Sequence, residues 1–145
     1  NGGSAADAQH ISAELVGHFS KQRPSYPAIA LTTDTSILTA IGNDFSFDEI
    51  FSRQCESIVL SGDVVIGIST SGNSINVKKG LEISKKRGAT TIGLLGSSGG
   101  ILKAIVDIPI IVKSSMTSEI QEAHRVIYHI ICKQIEDNIE NNIEN

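Results

Sequence analysis

The chain has 145 residues, 40% of them hydrophobic, with a formal net charge of −4 and a pI near 5.5. That length suits one domain with an ordinary core. An acidic balance with no basic stripe excludes nucleic acid as the main partner, and no apolar run approaches a membrane span. Cys55 and Cys132 stand apart, with no Cys-x-x-Cys pair. The expected compartment is therefore a reducing cytoplasm.

In chain order, Asn1-Gly2-Gly3-Ser4 opens the sequence as a Gly-rich turn with no strand ahead of it. That is the pattern of a piece missing its natural beginning. Helical spacing predicts a helix over 4–19, and a β-branched apolar run predicts a strand over 28–32. After 33–42, Gly42-Asn43-Asp44 reads as a turn that also offers an amide and a carboxylate to sugar hydroxyls. A helix is predicted over 47–58, a strand over 64–68, and a helix over 74–87 with Gly88 as its C-cap. The basic residues Lys78, Lys79, Lys85, Lys86 and Arg87 are spaced as a solvated helix face. Strands follow over 91–95 and 108–112, separated by Gly96-Ser97-Ser98-Gly99-Gly100.

The last helix, from 117 onward, carries Ile127, Ile131, Ile135, Ile139 and Ile143 at intervals of four. This stripe is longer than one small sheet needs, so part of it is expected to pack against another subunit. The end, 138–145, has little to bury and is expected to fray. Short unalternated strands alternating with helices predict an α/β fold, a three-layer sandwich with a parallel sheet flanked by helices. Ligands in such sheets bind at the carboxyl ends of the strands. All three Gly- and Ser-rich turns fall on that edge.

The most informative stretch is Ser69-Thr70-Ser71-Gly72-Asn73-Ser74, between a predicted strand and a predicted helix. Backbone N–H groups, the positive end of the helix dipole and four hydroxyls converge there as a cradle for an anion. It has no lysine, so it is not the nucleotide P-loop, and no nucleotide cofactor is expected. An uncharged cradle suits one small phosphate, such as the terminal phosphate of a sugar.

His10 and Glu14 lie four apart and project from one face of the first helix. On the last helix Gln121 and Arg125, and Arg125 and His129, are spaced likewise, and Gln121 and His129 both look inward from about two turns apart. His18 and His124 read as structural. Two histidines, a carboxylate and an amide make a ligand set for zinc. They serve equally for general acid/base work beside a carbonyl. The spacing leaves both roles open.

Taken together, several motifs resemble the sugar isomerase (SIS) domain family, and within it the bacterial phosphoheptose isomerases. They are Asn1-Gly2-Gly3-Ser4-Ala5-Ala6-Asp7-Ala8-Gln9-His10 with Ala13-Glu14-Leu15, Ala30-Leu31-Thr32-Thr33-Asp34, Ala40-Ile41-Gly42-Asn43-Asp44, the Ser69 to Ser74 turn, and Ile120-Gln121-Glu122 with His124 and His129 beyond. The resemblance implies a Rossmann-like single SIS domain over 1–145, lacking the N-terminal helical segment and first strand of the family. It implies isomerisation of sedoheptulose 7-phosphate to D-glycero-D-manno-heptose 7-phosphate through an enediol, the first step toward ADP- or GDP-heptose for lipopolysaccharide or capsule. Ser69, Thr70, Ser71 and Ser74 would hold the phosphate, while Asn1, Gly2, Gly3, Ser4, Glu14, Asn43, Asp44 and Gln121 would contact the substrate. Glu14 and His129 would be the acid/base pair, both at the carboxyl edge of the sheet, and His10, Glu14, Gln121 and His129 would hold one zinc per site. A homotetramer with sites between subunits is also implied.

The competing branch of the family is a non-catalytic regulator that binds the replication initiator or senses a sugar phosphate. Its members share a stretch like Arg23-Pro24-Ser25 through Leu31, but they lose the groups corresponding to Glu14 and His129. This chain keeps both.

Overall fold

The computed structural model describes residues 1–143, with side chains through 138. Three strands form one parallel sheet in the order β1 (Val64–Ser69), β2 (Thr90–Gly96), β3 (Ile108–Val112). Ser69 pairs with Leu95 and Gly96 with Val112, so all three carboxyl ends meet on one edge. Leu94 and Leu95 are both fully buried because successive side chains point to opposite faces, and both faces are covered. Leu95 packs with Val77, Leu81, Leu102 and Val106 under helix α4 (Ile75–Lys86). Leu94 packs with Ile11, Ile68 and Tyr128 under α1 (Gly2–Val16) and α5 (Thr117–Ile143). A helix layer on each face gives the three-layer α/β sandwich that the alternation predicts.

Three expectations are corrected. Residues 28–32 form no strand, following a segment that holds Pro24 and Pro27. They cross the margin of the core instead, with Leu31 packed on Cys55, Val59 and Ala89. Side chains occupy their polar groups: Gln54 donates to the Leu31 carbonyl, and the Thr32 hydroxyl donates to the Ala5 carbonyl. The predicted Gly42-Asn43-Asp44 turn is the last turn of a helix, α2 (Thr35–Asp44), whose N-cap Asp34 accepts from the Ile37 N–H at 2.9 Å. The helix predicted over 47–58 divides into a 3₁₀ turn, Phe47–Glu49, and α3 (Ser52–Ile58).

Of the isoleucine stripe, the structure describes the side chains through Ile135. Ile127 and Ile131 pack into this chain's own core beside Tyr128. Among the described side chains of α5, Val126 and Ile130 are large apolar groups left exposed. Ile139, Ile143 and the predicted fraying of 138–145 lie outside the described side chains. The basic face of α4 is solvated as expected and paired: Lys78 with Glu82, Lys79 with Glu49, and Lys85 with Asp107.

Candidate active site

The cradle is built where β1 ends and α4 begins. Ser69 is buried, and its hydroxyl lies 3.0 Å from that of Ser74 and 3.5 Å from that of Ser71. Ser69 Oγ also accepts from the Gly72 N–H, and Ser71 Oγ from the Asn73 N–H. Gly72 has φ +67°, and a Cβ there would stand 2.2 Å from the Gly99 carbonyl oxygen. Only glycine lets the two loops meet. Their contact is sealed by Leu102 N–H donating to the Gly72 carbonyl and Ile101 N–H to Asn73 Oδ1. Ser71 remains exposed and Thr70 and Ser74 half-buried, so the hydroxyls stand at the mouth of a fixed loop.

Asn1, the residue before α1, joins this cradle through an amide pair with buried Asn76, each Nδ2 donating to the other's Oδ1 at 2.9 Å. Sequence reasoning did not single out Asn76; its place in the first turn after Ser74 was the available signal. Gly2 and Gly3 are exposed in the first turn of α1, and Ser4 is buried. A Cβ on Gly3 would fall 2.4 Å from Gln121 Nε2, so the absent side chain makes room for that amide. Asn43 and Asp44 are exposed at the end of α2, and Asn43 Nδ2 donates to Asp44 Oδ1 at 2.8 Å.

A second cluster forms where α1 and α5 touch. His10 Nε2 lies 2.8 Å from Glu14 Oε1, and the ring centroids of His10 and His129 are 5.1 Å apart. Donor atoms of His10, Glu14 and His129 all lie within 4.8 Å of one another, and all three residues are half-buried. Zinc with bonds of about 2 Å sets its tetrahedral donors roughly 3.3 Å apart, so two imidazoles and a carboxylate at these separations fit that ion. The third His10 contact is Tyr128, whose phenol oxygen sits 2.9 Å from Nδ1. Burial pushes the Tyr128 phenol above its ordinary value, leaving it a neutral hydroxyl. The Phe19 ring also lies near His129, ring centroids 5.5 Å apart.

Gln121 is not part of this cluster. It lies two turns of α5 before His129, about 12 Å along the axis, with its amide against Gly3. The cluster also stands away from the carboxyl edge, contrary to expectation. Both helices run back from that edge, and Glu14 follows Asn1 by about 20 Å of helix. His18 is exposed. His124 is fully buried with Nε2 3.1 Å from the Leu95 carbonyl, and burial lowers its pKa, as suits a structural imidazole. Arg125 lies 3.7 Å from Asp7 and 3.7 Å from Glu122.

The SIS domain model matches residues 1–96, two loops and the α1 half of the cluster included. The chain belongs to the SIS-domain family. Within that family its relatives are phosphoheptose isomerases. That of Trichlorobacter lovleyi is 58% identical over 139 residues, covering 96% of this chain and 71% of the relative. That of Citrifermentans bemidjiense is 60% identical over 136 residues, covering 94% and 71%. The solved phosphoheptose isomerase of Neisseria gonorrhoeae superposes with a TM-score of 0.89 at 45% identity, covering 94% of this SIS domain and 73% of that chain. No helix among the described residues is long and apolar enough to cross a membrane.

Proposed function

We propose that this chain interconverts sedoheptulose 7-phosphate and D-glycero-D-manno-heptose 7-phosphate as a single SIS domain of the cytoplasm. The observation that carries the reading is the gathering of His10, Glu14 and His129 from two helices, in a chain that also gathers serine hydroxyls at the turn into α4. The hydroxyls of Ser69, Thr70, Ser71 and Ser74 and the N-terminus of α4 hold the phosphate. Asn1, Gly2, Gly3, Ser4, Asn43, Asp44 and Gln121 serve the sugar.

The Glu14 carboxylate removes a proton from C1 of the ketose, and the electron pair left behind makes the 1,2-enediol. Glu14 returns a proton to C2, while the His129 imidazole moves the hydroxyl proton from O1 to O2. The carbonyl thus passes from C2 to C1 with no net gain or loss of atoms. His10, Glu14 and His129 would hold a zinc ion, which supplies Lewis-acid polarisation of the sugar oxygens when bound.

Along α1, His10 and Glu14 follow Asn1, which borders the cradle, by about 13 and 20 Å of helix, a long span for one seven-carbon sugar phosphate. Gln121 likewise lies about 12 Å of helix before His129, with its amide against Gly3. Both separations support a site shared between subunits, in which one copy's cradle and Gln121 face another copy's cluster. Exposed Val126, Ile130 and Val16 supply apolar surface for that contact in a homotetramer.

Incubation of the full chain with sedoheptulose 7-phosphate tests the reading. Formation of an aldoheptose 7-phosphate is the expected result, and a wild-type protein that binds the ketose without converting it returns the chain to the non-catalytic branch.

A further inference from the structure

The cluster has a buried extension that the reaction as written does not use. Tyr128 and Asp7 are 1% and 3% exposed, and the Tyr128 hydroxyl lies between His10 Nδ1 at 2.9 Å and Asp7 Oδ1 at 3.4 Å. Asp7 precedes His10 by three residues on α1, and Tyr128 immediately precedes His129 on α5. The line of contacts runs Asp7, Tyr128, His10, Glu14, and both helices contribute to it.

We propose that Tyr128 and Asp7 are positioning residues that fix the tautomer of His10 for metal binding. The proposal rests on the metal role assigned above to His10, Glu14 and His129.

A neutral imidazole has one N–H and one lone pair, and His10 has an oxygen partner at each nitrogen. The hydroxyl of Tyr128 has a single proton. A carboxylate only accepts, so Asp7 takes that proton's hydrogen bond. When Nε2 ligates a metal, the phenol oxygen is then left to accept from the imidazole N–H on Nδ1. In the metal-free protein Nε2 and Glu14 Oε1 share a hydrogen bond at 2.8 Å, whose proton a metal ion displaces. Outer groups that hold a ligand's second nitrogen in this way set ring orientation and raise ligand basicity. Burial of both groups keeps water from substituting for either. The rings of Tyr128 and His129 meet edge to face at 4.8 Å, so the same phenol also braces the second imidazole.

The test uses the full chain and zinc or cobalt(II) alone, without substrate. Tyr128→Phe removes only the hydroxyl. Asp7→Asn keeps the shape but can donate to the phenol oxygen, turning its proton toward His10 Nδ1 and putting the imidazole proton on Nε2. Zinc affinity, measured by competition with a chromophoric chelator, is expected to fall about 10–100-fold in each. The cobalt(II) ligand-field bands should shift in both, while the metal-free proteins retain the wild-type circular dichroism spectrum. A variant with wild-type zinc affinity and an unchanged cobalt spectrum overturns the role of its residue. A wild-type protein that binds neither metal removes the metal reading itself, and this inference with it.

Discussion

Arg23 Nε donates to Glu136 Oε1 at 2.8 Å, and the two side chains are 4% and 1% exposed. Glu136 also accepts from the backbone N–H groups of Phe19, Ser20 and Lys21 and from the Ser20 hydroxyl. Arg23 in turn donates to the carbonyls of Glu14 and Leu15, which the end of α1 leaves without helical partners. One buried pair therefore ties α5, the segment after α1, and the backbone of Glu14 into a single unit. Glu136→Ala would strand the guanidinium and several N–H groups at once. Breaking such a pair costs about 3–5 kcal/mol, and denaturant titration should show a loss of that size with α1 among the first elements to open.

Acid should find the same weak point. Burial by itself raises the Glu136 carboxyl, but the N–H groups of Phe19 and Ser20, the Ser20 hydroxyl and Arg23 outweigh it and hold the group down to about 2, from an ordinary 4.5. A depressed folded-state pKa contributes stability that is complete above the ordinary value and is lost as pH falls toward the folded one. Melting temperature should thus decline between about pH 4.5 and 2, and Glu136→Gln should be less stable throughout with a flatter decline. An equally steep decline in that variant would assign the acid sensitivity to other carboxylates.

The phosphate cradle makes a binding prediction. Ser71→Ala or Ser74→Ala should each weaken binding of a phosphorylated sugar by about 1.5–3 kcal/mol, the range for hydrogen bonds to charged groups. Calorimetry with sedoheptulose 7-phosphate reads this directly. Unchanged affinity in the double variant places the phosphate elsewhere.

Both cysteines are free and buried. Burial raises the Cys55 thiol, and burial together with the nearby Glu14 and Glu136 charges pushes Cys132 up to about 11. Thiols, not thiolates, are present at neutral pH, and thiols are poor nucleophiles. A disulfide-exchange reagent should label neither cysteine in the native protein and both after denaturation.

What the sequence disclosed was mostly local. The Ser69 to Ser74 turn is legible because one strand end, one glycine and one helix start, all adjacent in the chain, create it. His10 and Glu14 are legible because four residues make a turn of helix. The approach of His129 to His10 depends on how two helices register against each other, 119 positions apart by number, and no spacing rule reports it. Tyr128, Asp7 and the Arg23–Glu136 pair were missed for the same reason. Residues 28–32 misled because an apolar run at a core margin has a strand's composition without a neighbouring ladder. The helix α2 was hidden by its threonines and isoleucines, β-branched residues of modest helix propensity, although its Asp34 cap was in plain view.

Turnover by Glu14→Gln reaches the central claim most directly, because the amide preserves shape but cannot accept the proton from C1. With metal content verified in the same sample, the rate on sedoheptulose 7-phosphate should fall by about 10²–10⁴ while affinity for the phosphorylated sugar largely survives. A Glu14→Gln protein that isomerises at the wild-type rate would contradict the account.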